Sequence, residues 1–190
     1  MRIIGGDFRA TRLQAPKGLN TRPTLDRIRE SLFNILGQNF FGGVVLDLFA
    51  GSGCNGLEFI SRGIDFVYFV DNSQESINVM IKNIKKCKVE EKSKIIKMDF
   101  QNALKSFKSD TFSYIYMDPP FNKIDYYSES FEIIRNNKLL KEDGSLIIEH
   151  SSDKILKIPG GYKEIRYKKY GKTSLSIWSL IDESNICGKF

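Results

Sequence analysis

Residues Asp118-Pro119-Pro120-Phe121 put a carboxylate, two ring-locked residues and an aromatic into four consecutive positions. They follow the apolar run Phe112–Met117, which reads as a buried strand, so they stand at a strand's C-terminal end. In open α/β sheets ligands bind along that edge. Each proline fixes its own φ and has no N–H, so the loop cannot be absorbed into a helix and its carbonyls stay free. A rigid loop with a carboxylate, free carbonyls and an aromatic face suits a planar group that carries an amine. A nucleobase is such a group.

A second cluster starts at Asp47 and runs through Phe49, Gly51, Gly53 and Gly56 in the order D-x-F-x-G-x-G-x-x-G. The glycines permit positive φ and close approach of the backbone to a ligand. A dinucleotide enzyme uses the same glycine spacing, so the glycines alone do not decide the ligand. Asp47 does more: a carboxylate there suits the ammonium of a methionine moiety and would repel a pyrophosphate. Asp71, 24 residues further on, ends the next apolar run and can bind ribose hydroxyls. Asp99 follows the third run and could accept from an adenine amine, with Phe100 beside it for packing. Any one of these acids could be only a helix N-cap. Three of them at three successive strand ends form a constellation that suits S-adenosylmethionine.

The elements that must position these residues are legible from periodicity. Apolar runs predict strands over 44–49, 64–70, 94–98, 112–117 and 145–150, with helices over 54–62, 73–88, 99–107 and 124–136 between them. In the second of these helices Ile77, Ile81 and Ile84 mark the apolar face; in the last, Phe131 and Ile134 face inward. Strands that alternate with helices imply a parallel sheet built from right-handed crossovers. Two further strands, 163–170 and 174–181, are joined too tightly for a crossover and must pair antiparallel. Upstream, Gly5-Gly6 and Pro16-Lys17-Gly18 are turn signals in a small irregular hairpin over 1–22. An amphipathic helix over 24–36 follows, with Thr24 as its cap and Leu25, Ile28, Leu32, Ile35 and Leu36 on one face.

Composition sets the class. The chain has 190 residues, 41% hydrophobic and 12% aromatic, which fits one domain with a real core. The net charge of +6 is unevenly placed. Residues 1–30 carry a net +4 and residues 163–172 another +4, so the remainder is slightly acidic. Two basic segments near the chain ends point to an anionic polymer. Cys54, Cys87 and Cys187 lack metal-ligand spacing and there is a single histidine, so no metal is expected. The cysteines read as reduced thiols of a cytoplasmic protein. No secretory h-region and no apolar run of transmembrane length is present, so no membrane partner is expected.

These segments together resemble a known family. Arg2-Ile3-Ile4-Gly5-Gly6, then Arg22-Pro23-Thr24 with Asp26-Arg27-Ile28-Arg29-Glu30-Ser31-Leu32-Phe33, then Leu46-Asp47-Leu48-Phe49-Ala50-Gly51-Ser52-Gly53, then Asp118-Pro119-Pro120-Phe121 are similar, in order, to the RsmD family. The first two segments are the specific ones; the last two mark amino methyltransferases in general. The resemblance implies a Rossmann-like class I fold, α/β, with a seven-stranded, mostly parallel sheet, an antiparallel C-terminal hairpin and a short N-terminal extension. It implies transfer of a methyl group from S-adenosylmethionine to N2 of one guanine, guanine 966, in small-subunit (16S) ribosomal RNA. Asp47, Phe49, Gly51, Gly53, Asp71, Asp99, Phe100 and Thr24 would hold the cofactor. Asp118, Pro119, Pro120 and Phe121 would hold the guanine and activate its amine. Arg9, Arg12, Arg22 and Arg27 would face the RNA.

The implied layout is one methyltransferase domain over 1–190. It has an RNA-facing extension (1–23), a lead-in helix (24–37) and a catalytic core (44–181). A monomer acting on 16S rRNA, free or in an assembling 30S subunit, is expected. Three rivals share parts of the pattern. A nicotinamide dehydrogenase would need a substrate domain that 190 residues leave little room for. A DNA adenine N6 or protein glutamine N5 methyltransferase usually starts the proline loop with Asn. An RNA-binding module without catalysis would not need the three acids.

Overall fold

A computed structural model describes residues 1–16, 23–120 and 122–181. The first 13 residues form the irregular hairpin: Arg2 and Arg12 pair as an antiparallel bridge, and Ile3 and Thr11 are joined by an N–H···O bond of 3.0 Å. Helix α1 spans Pro23–Leu36 and buries Ile28, Leu32 and Phe33. It begins one residue earlier than its sequence suggests. Proline takes the first helical position, where its missing N–H costs nothing, so Thr24 lies inside the helix and is not its cap.

Four strand–helix units and a fifth strand follow. They are β1 Val44–Leu48, α2 Cys54–Ser61, β2 Phe66–Asp71, α3 Gln74–Cys87, β3 Ser93–Lys97, α4 Phe100–Ser106, β4 Phe112–Met117, α5 Asp125–Asn136 and β5 Leu140–Ser151. The hairpin of β6 Tyr162–Tyr170 and β7 Thr173–Leu180 closes the sheet. The seven strands lie in the order β3-β2-β1-β4-β5-β7-β6. β1 to β5 are parallel to one another, and β7 pairs antiparallel with β5 and β6. The order reverses between β1 and β4, so the loops after these two strands diverge and leave a crevice between them.

Each face of the sheet buries its own core. On one side Leu32 and Phe33 of α1, Leu57 and Phe59 of α2 and Met80 of α3 pack against it. On the other, Phe100 and Leu104 of α4 and Phe131 and Ile134 of α5 pack around Leu46, Ile115 and Trp178. The apolar stripe of α3 runs Ile77, Met80, Ile84 and Cys87, spaced three and four apart; Ile81 falls off it and stays 39% exposed. β5 is twice as long as the apolar run 145–150 predicts. Its first residue pairs with Phe112, and a register shift then passes the polar stretch Lys141–Gly144 before Ser145 pairs with Tyr114. Polar residues in an irregular strand start carry no period-two signal.

Candidate active site

The turn after β1 is shaped by left-handed backbone. Phe49, Gly51 and Gly53 have φ of 68, 55 and 74°. A Cβ on Gly51 would meet nothing within 4 Å, because that side of the turn opens on the crevice. A Cβ on Gly56 would lie 2.3 Å from the Phe69 ring, so the third glycine lets α2 pack close on β2. Two carboxylates hold the turn. Asp47 accepts from the Gly56 N–H (2.9 Å). Asp71 accepts from the Gly51 N–H and the Ser73 N–H, both at 2.8 Å.

Asp47 is 1% exposed and, like Gly53, lies behind the cleft wall. It anchors the turn from beneath, which differs from the direct contact with a ligand that its position in the motif suggests. Burial pushes its carboxyl up to about 7, against the single N–H that favours the charged form and with Asp71 adding repulsion. The folded protein therefore keeps this proton to higher pH than the unfolded chain, whose value stays near 3.8. Stability must fall as pH rises between the two values and carry the full penalty above about 7. Asp47→Asn keeps an acceptor for Gly56 and cannot ionise. Its thermal midpoint is expected to exceed the wild-type midpoint at pH 8, with the gap narrowing as pH falls toward 4. A gap that does not change with pH would mean that Asp47 does not titrate in this range.

The crevice is a cleft of about 690 Å³ that runs from the glycine turn to the proline loop. Gly51, Asp71, Asp99 and Phe100 line one end; Asp118, Pro119, Pro120 and Glu149 line the other. Asp99 is an N-cap as well: its carboxylate accepts from the N–H (2.9 Å) and the side-chain amide (2.7 Å) of Asn102, and these bonds hold its pKa below the usual range. Each oxygen retains a lone pair for a ligand. Phe49, Phe100 and Tyr126 form an aromatic cluster at this end, with ring centroids 4.6 to 6.0 Å apart.

At the other end Asp118 is partly buried and Pro119 fully so. The Asp118 carboxyl sits well above the ordinary range because burial desolvates it and Glu149 and Asp47 add repulsion. Glu149, two residues before the end of β5, is 5% exposed. It accepts from the Tyr116 hydroxyl at 2.6 Å, and its backbone carbonyl accepts from the Tyr127 hydroxyl at 3.0 Å. Burial raises its carboxyl too, with the Tyr116 bond and Arg29 opposing. Phe121, Arg22 and the side chain of Thr24 fall outside the described residues.

A roof covers the cleft. Ile28, Arg29 and Leu32 of α1 line it, with Met1 of the hairpin. One fully buried side chain clasps the roof to α2. Glu58 accepts from the N–H groups of Ile4 and Gly5, both at 2.8 Å, and from Arg62 Nε at 2.9 Å. Arg29, 5% exposed, stands 3.7 Å from Glu58 and donates to Asp26 (2.7 Å) and to the Arg2 carbonyl (2.9 Å). Asn83 of α3 makes a second clasp, donating to the carbonyls of Gln14 (3.0 Å) and Ser52 (2.9 Å). Arg9 and Arg12 of the hairpin and Arg27 of α1 are exposed and free to face a polyanion.

The sequence reading missed Glu149, Tyr116, Tyr126, Arg29 and Glu58. Glu149 was within reach of the rule that picked out Asp71 and Asp118, since it too follows an apolar run, Leu146–Ile148. The run was read through to His150, which instead bonds Ser176 across to β7 (3.2 Å) and does not line the cleft.

Comparison with known proteins gives this geometry a family. The family model "Conserved hypothetical protein 95" matches residues 1–179. The "Putative rRNA methyltransferase YlbH" of Bacillus subtilis is 36% identical over 183 residues, covering 94% of this chain and 98% of its own. "Ribosomal RNA small subunit methyltransferase D" of Escherichia coli is 28% identical over 179 residues, covering 94% and 89%. The solved structure of the "Putative methyltransferase yhhF" from Escherichia coli superposes with a TM-score of 0.83 at 28% identity, covering 95% and 97%. With the motifs, the sheet order and a match over nearly its whole length in agreement, the chain belongs to the conserved hypothetical protein 95 family, the family of RsmD.

Proposed function

We propose that this protein transfers a methyl group from S-adenosylmethionine to the exocyclic N2 of a guanine in 16S ribosomal RNA, with guanine 966 as the target. One observation carries the reading: the glycine turn and Asp118 line a single cleft at the point where the strand order reverses. The names of the relatives agree with rRNA methylation. On this reading the chain is one domain and works as a cytoplasmic monomer on RNA that is free or in an assembling 30S subunit.

The cleft fits the cofactor. Gly51 leaves space for a close backbone approach, Asp71 and Asp99 offer acceptors in a row, and the aromatic cluster of Phe49, Phe100 and Tyr126 offers a face for a purine. Asp47 serves through the turn it holds. When bound, S-adenosylmethionine supplies a methyl group on a sulfonium. The residues of the proline loop do the rest. The lone pair of guanine N2 is delocalised into the ring, which makes the amine a poor nucleophile. Asp118 and the Pro119 carbonyl accept hydrogen bonds from that amine, hold it pyramidal and disperse the positive charge that develops on nitrogen. Acceptors fixed in advance are worth roughly 10²–10³ in rate each. The methylated amine is acidic enough to release its proton to Asp118 or water. Phe121 stacks on the base, which must first leave its helix at a cost of about a few kcal/mol.

Glu149 favours guanine over the rival bases. The Watson–Crick edge of guanine carries two adjacent donors, N1–H and the N2 amine, and the carboxyls of Glu149 and Asp118, which line the same cleft, accept from them when ionised. Adenine has an acceptor at N1, which an ionised carboxylate would repel. The test is to incubate 16S rRNA and 30S subunits from a strain lacking the protein with labelled cofactor and to map the product. Label on one N2 of guanine is expected; label on adenine, on protein or nowhere would end the proposal.

A further inference from the structure

The far edge of the sheet carries a second basic surface that the reaction does not use. β6 is the last strand, and its residues 163 to 169 are all exposed. Four of them are cations, Lys163, Arg166, Lys168 and Lys169, against the single acid Glu164. No ion pair joins any of these cations to a carboxylate among the described residues. A cationic edge strand has an ordinary explanation, since lysines there discourage edge-to-edge pairing between molecules. That explanation requires charge on the strand but no direction to it.

Here the charge has a direction, set by a bulge. The register between β6 and β7 shifts between Glu164 and Arg166. Beyond the shift Arg166 lies opposite Ile177, Lys168 opposite Leu175 and Tyr170 opposite Thr173. Directly opposed residues of an antiparallel pair point to the same face. Leu175 and Ile177 belong to the core beneath α1 and α2, so Arg166, Lys168 and Tyr170 form a row on the α1 face. Lys169, opposite Ser174, points to the other face. The row connects to the cleft. Tyr170 packs against the α1-side core, and its hydroxyl is hydrogen-bonded to Ser31 on α1. Exposed Arg27 lies one turn back along α1 from Ser31, next to Ile28 and Arg29, which line the cleft.

We infer that this row is a docking track for the phosphate backbone of the RNA that flanks the target nucleotide, with Arg166 and Lys168 as its outer contacts and Arg27 as its inner one. The inference rests on the rRNA methyltransferase reading above. A base drawn into the cleft leaves its flanking strand at the mouth. Cations there position the strand without reading sequence. The track lies beyond α1 from the hairpin arginines, so the RNA would be held on two sides of the mouth.

Lys168→Glu and Lys169→Glu test the placement, because they make the same charge change at adjacent exposed positions on opposite faces. Binding of a 16S rRNA transcript to the full chain is measured against KCl concentration. Cofactor affinity, thermal midpoint and methyl transfer at saturating RNA are measured alongside. Lys168→Glu is expected to weaken RNA binding several-fold at 0.1 M salt and to flatten the log–log salt slope by about 0.7–0.9, the share of one phosphate contact. Arg166→Glu added to it should flatten the slope by about as much again. Lys169→Glu should leave affinity within about twofold of wild type after the loss of general charge, and the three other readouts should not move in any variant. Equal effects of Lys168→Glu and Lys169→Glu, or an unchanged slope in the double variant, would overturn the track while wild-type methylation of the RNA still stands. Wild-type protein that neither binds nor methylates the RNA would overturn the functional reading and the track together.

Discussion

Asp118→Ala is expected to lower methyl transfer by at least about 10²–10³-fold and to leave cofactor affinity nearly unchanged. The split follows from position. Asp118 lines the proline-loop end of the cleft, while the groups suited to the cofactor lie at the glycine-turn end. Loss of stability should not confound the result. The Asp118 carboxyl is raised because folding desolvates it beside Glu149 and Asp47, so its charge opposes folding and its removal should not lower the thermal midpoint. The same raised carboxyl predicts a pH profile. Only the ionised form accepts freely from the amine, so wild-type turnover should fall as the pH drops through the elevated Asp118 range. Asp118→Asn retains one acceptor oxygen, should keep partial activity, and should lose that limb of the profile. If Asp118→Ala turns over at the wild-type rate, the amine is held elsewhere and the mechanism fails.

Glu58→Ala should have the largest effect on stability. Glu58 is fully buried and serves Ile4, Gly5, Arg62 and Arg29 at once. Truncation leaves Arg62, 5% exposed, without its carboxylate and two backbone N–H groups without acceptors. Breaking a buried ion pair on one side costs about 3–5 kcal/mol, and a chain of this size loses roughly 2–4 °C of midpoint per kcal/mol. A fall of roughly 10 °C in a thermal melt is therefore expected. Glu58→Gln keeps an acceptor for one or two of the four donors and should fall less. A loss below about 1 kcal/mol for Glu58→Ala would show that water or Asp26 replaces the lost carboxylate, and that the clasp is not what holds the roof.

Much of the site could be read from the chain because the relevant residues obey a local rule. Asp71, Asp99 and Asp118 each follow a short apolar run, and in a parallel sheet the ends of such runs converge on one edge. Asp47 shows the limit of that rule. It precedes its strand's end by one residue, and a strand reverses the facing of its side chains at every step, so it sits under the turn with its carboxylate against Gly56. Glu149 was hidden because its run continued through His150. Glu58 lay in the middle of a helix, where an acid normally faces water. Its burial depends on the hairpin from residues 1–13, whose contacts are side chain to backbone and leave no periodic trace. The strand order was beyond the sequence for a similar reason: alternation of strands and helices implies a parallel sheet but does not say which strands are neighbours.

The hairpin's fastenings have a consequence for how the molecule comes together. Its bonds to Glu58, Ser61 and Asn83 span 53 to 69 positions of chain. Closing loops of that length has an entropic cost that only finished acceptors can repay, and those acceptors lie on two helices that need the sheet beneath them. The hairpin, made before the helices that hold it, would thus settle after them. Until they do, the lid above the glycine turn is missing. A half-assembled copy would hold its sheet but lack the chamber in which a base could be modified.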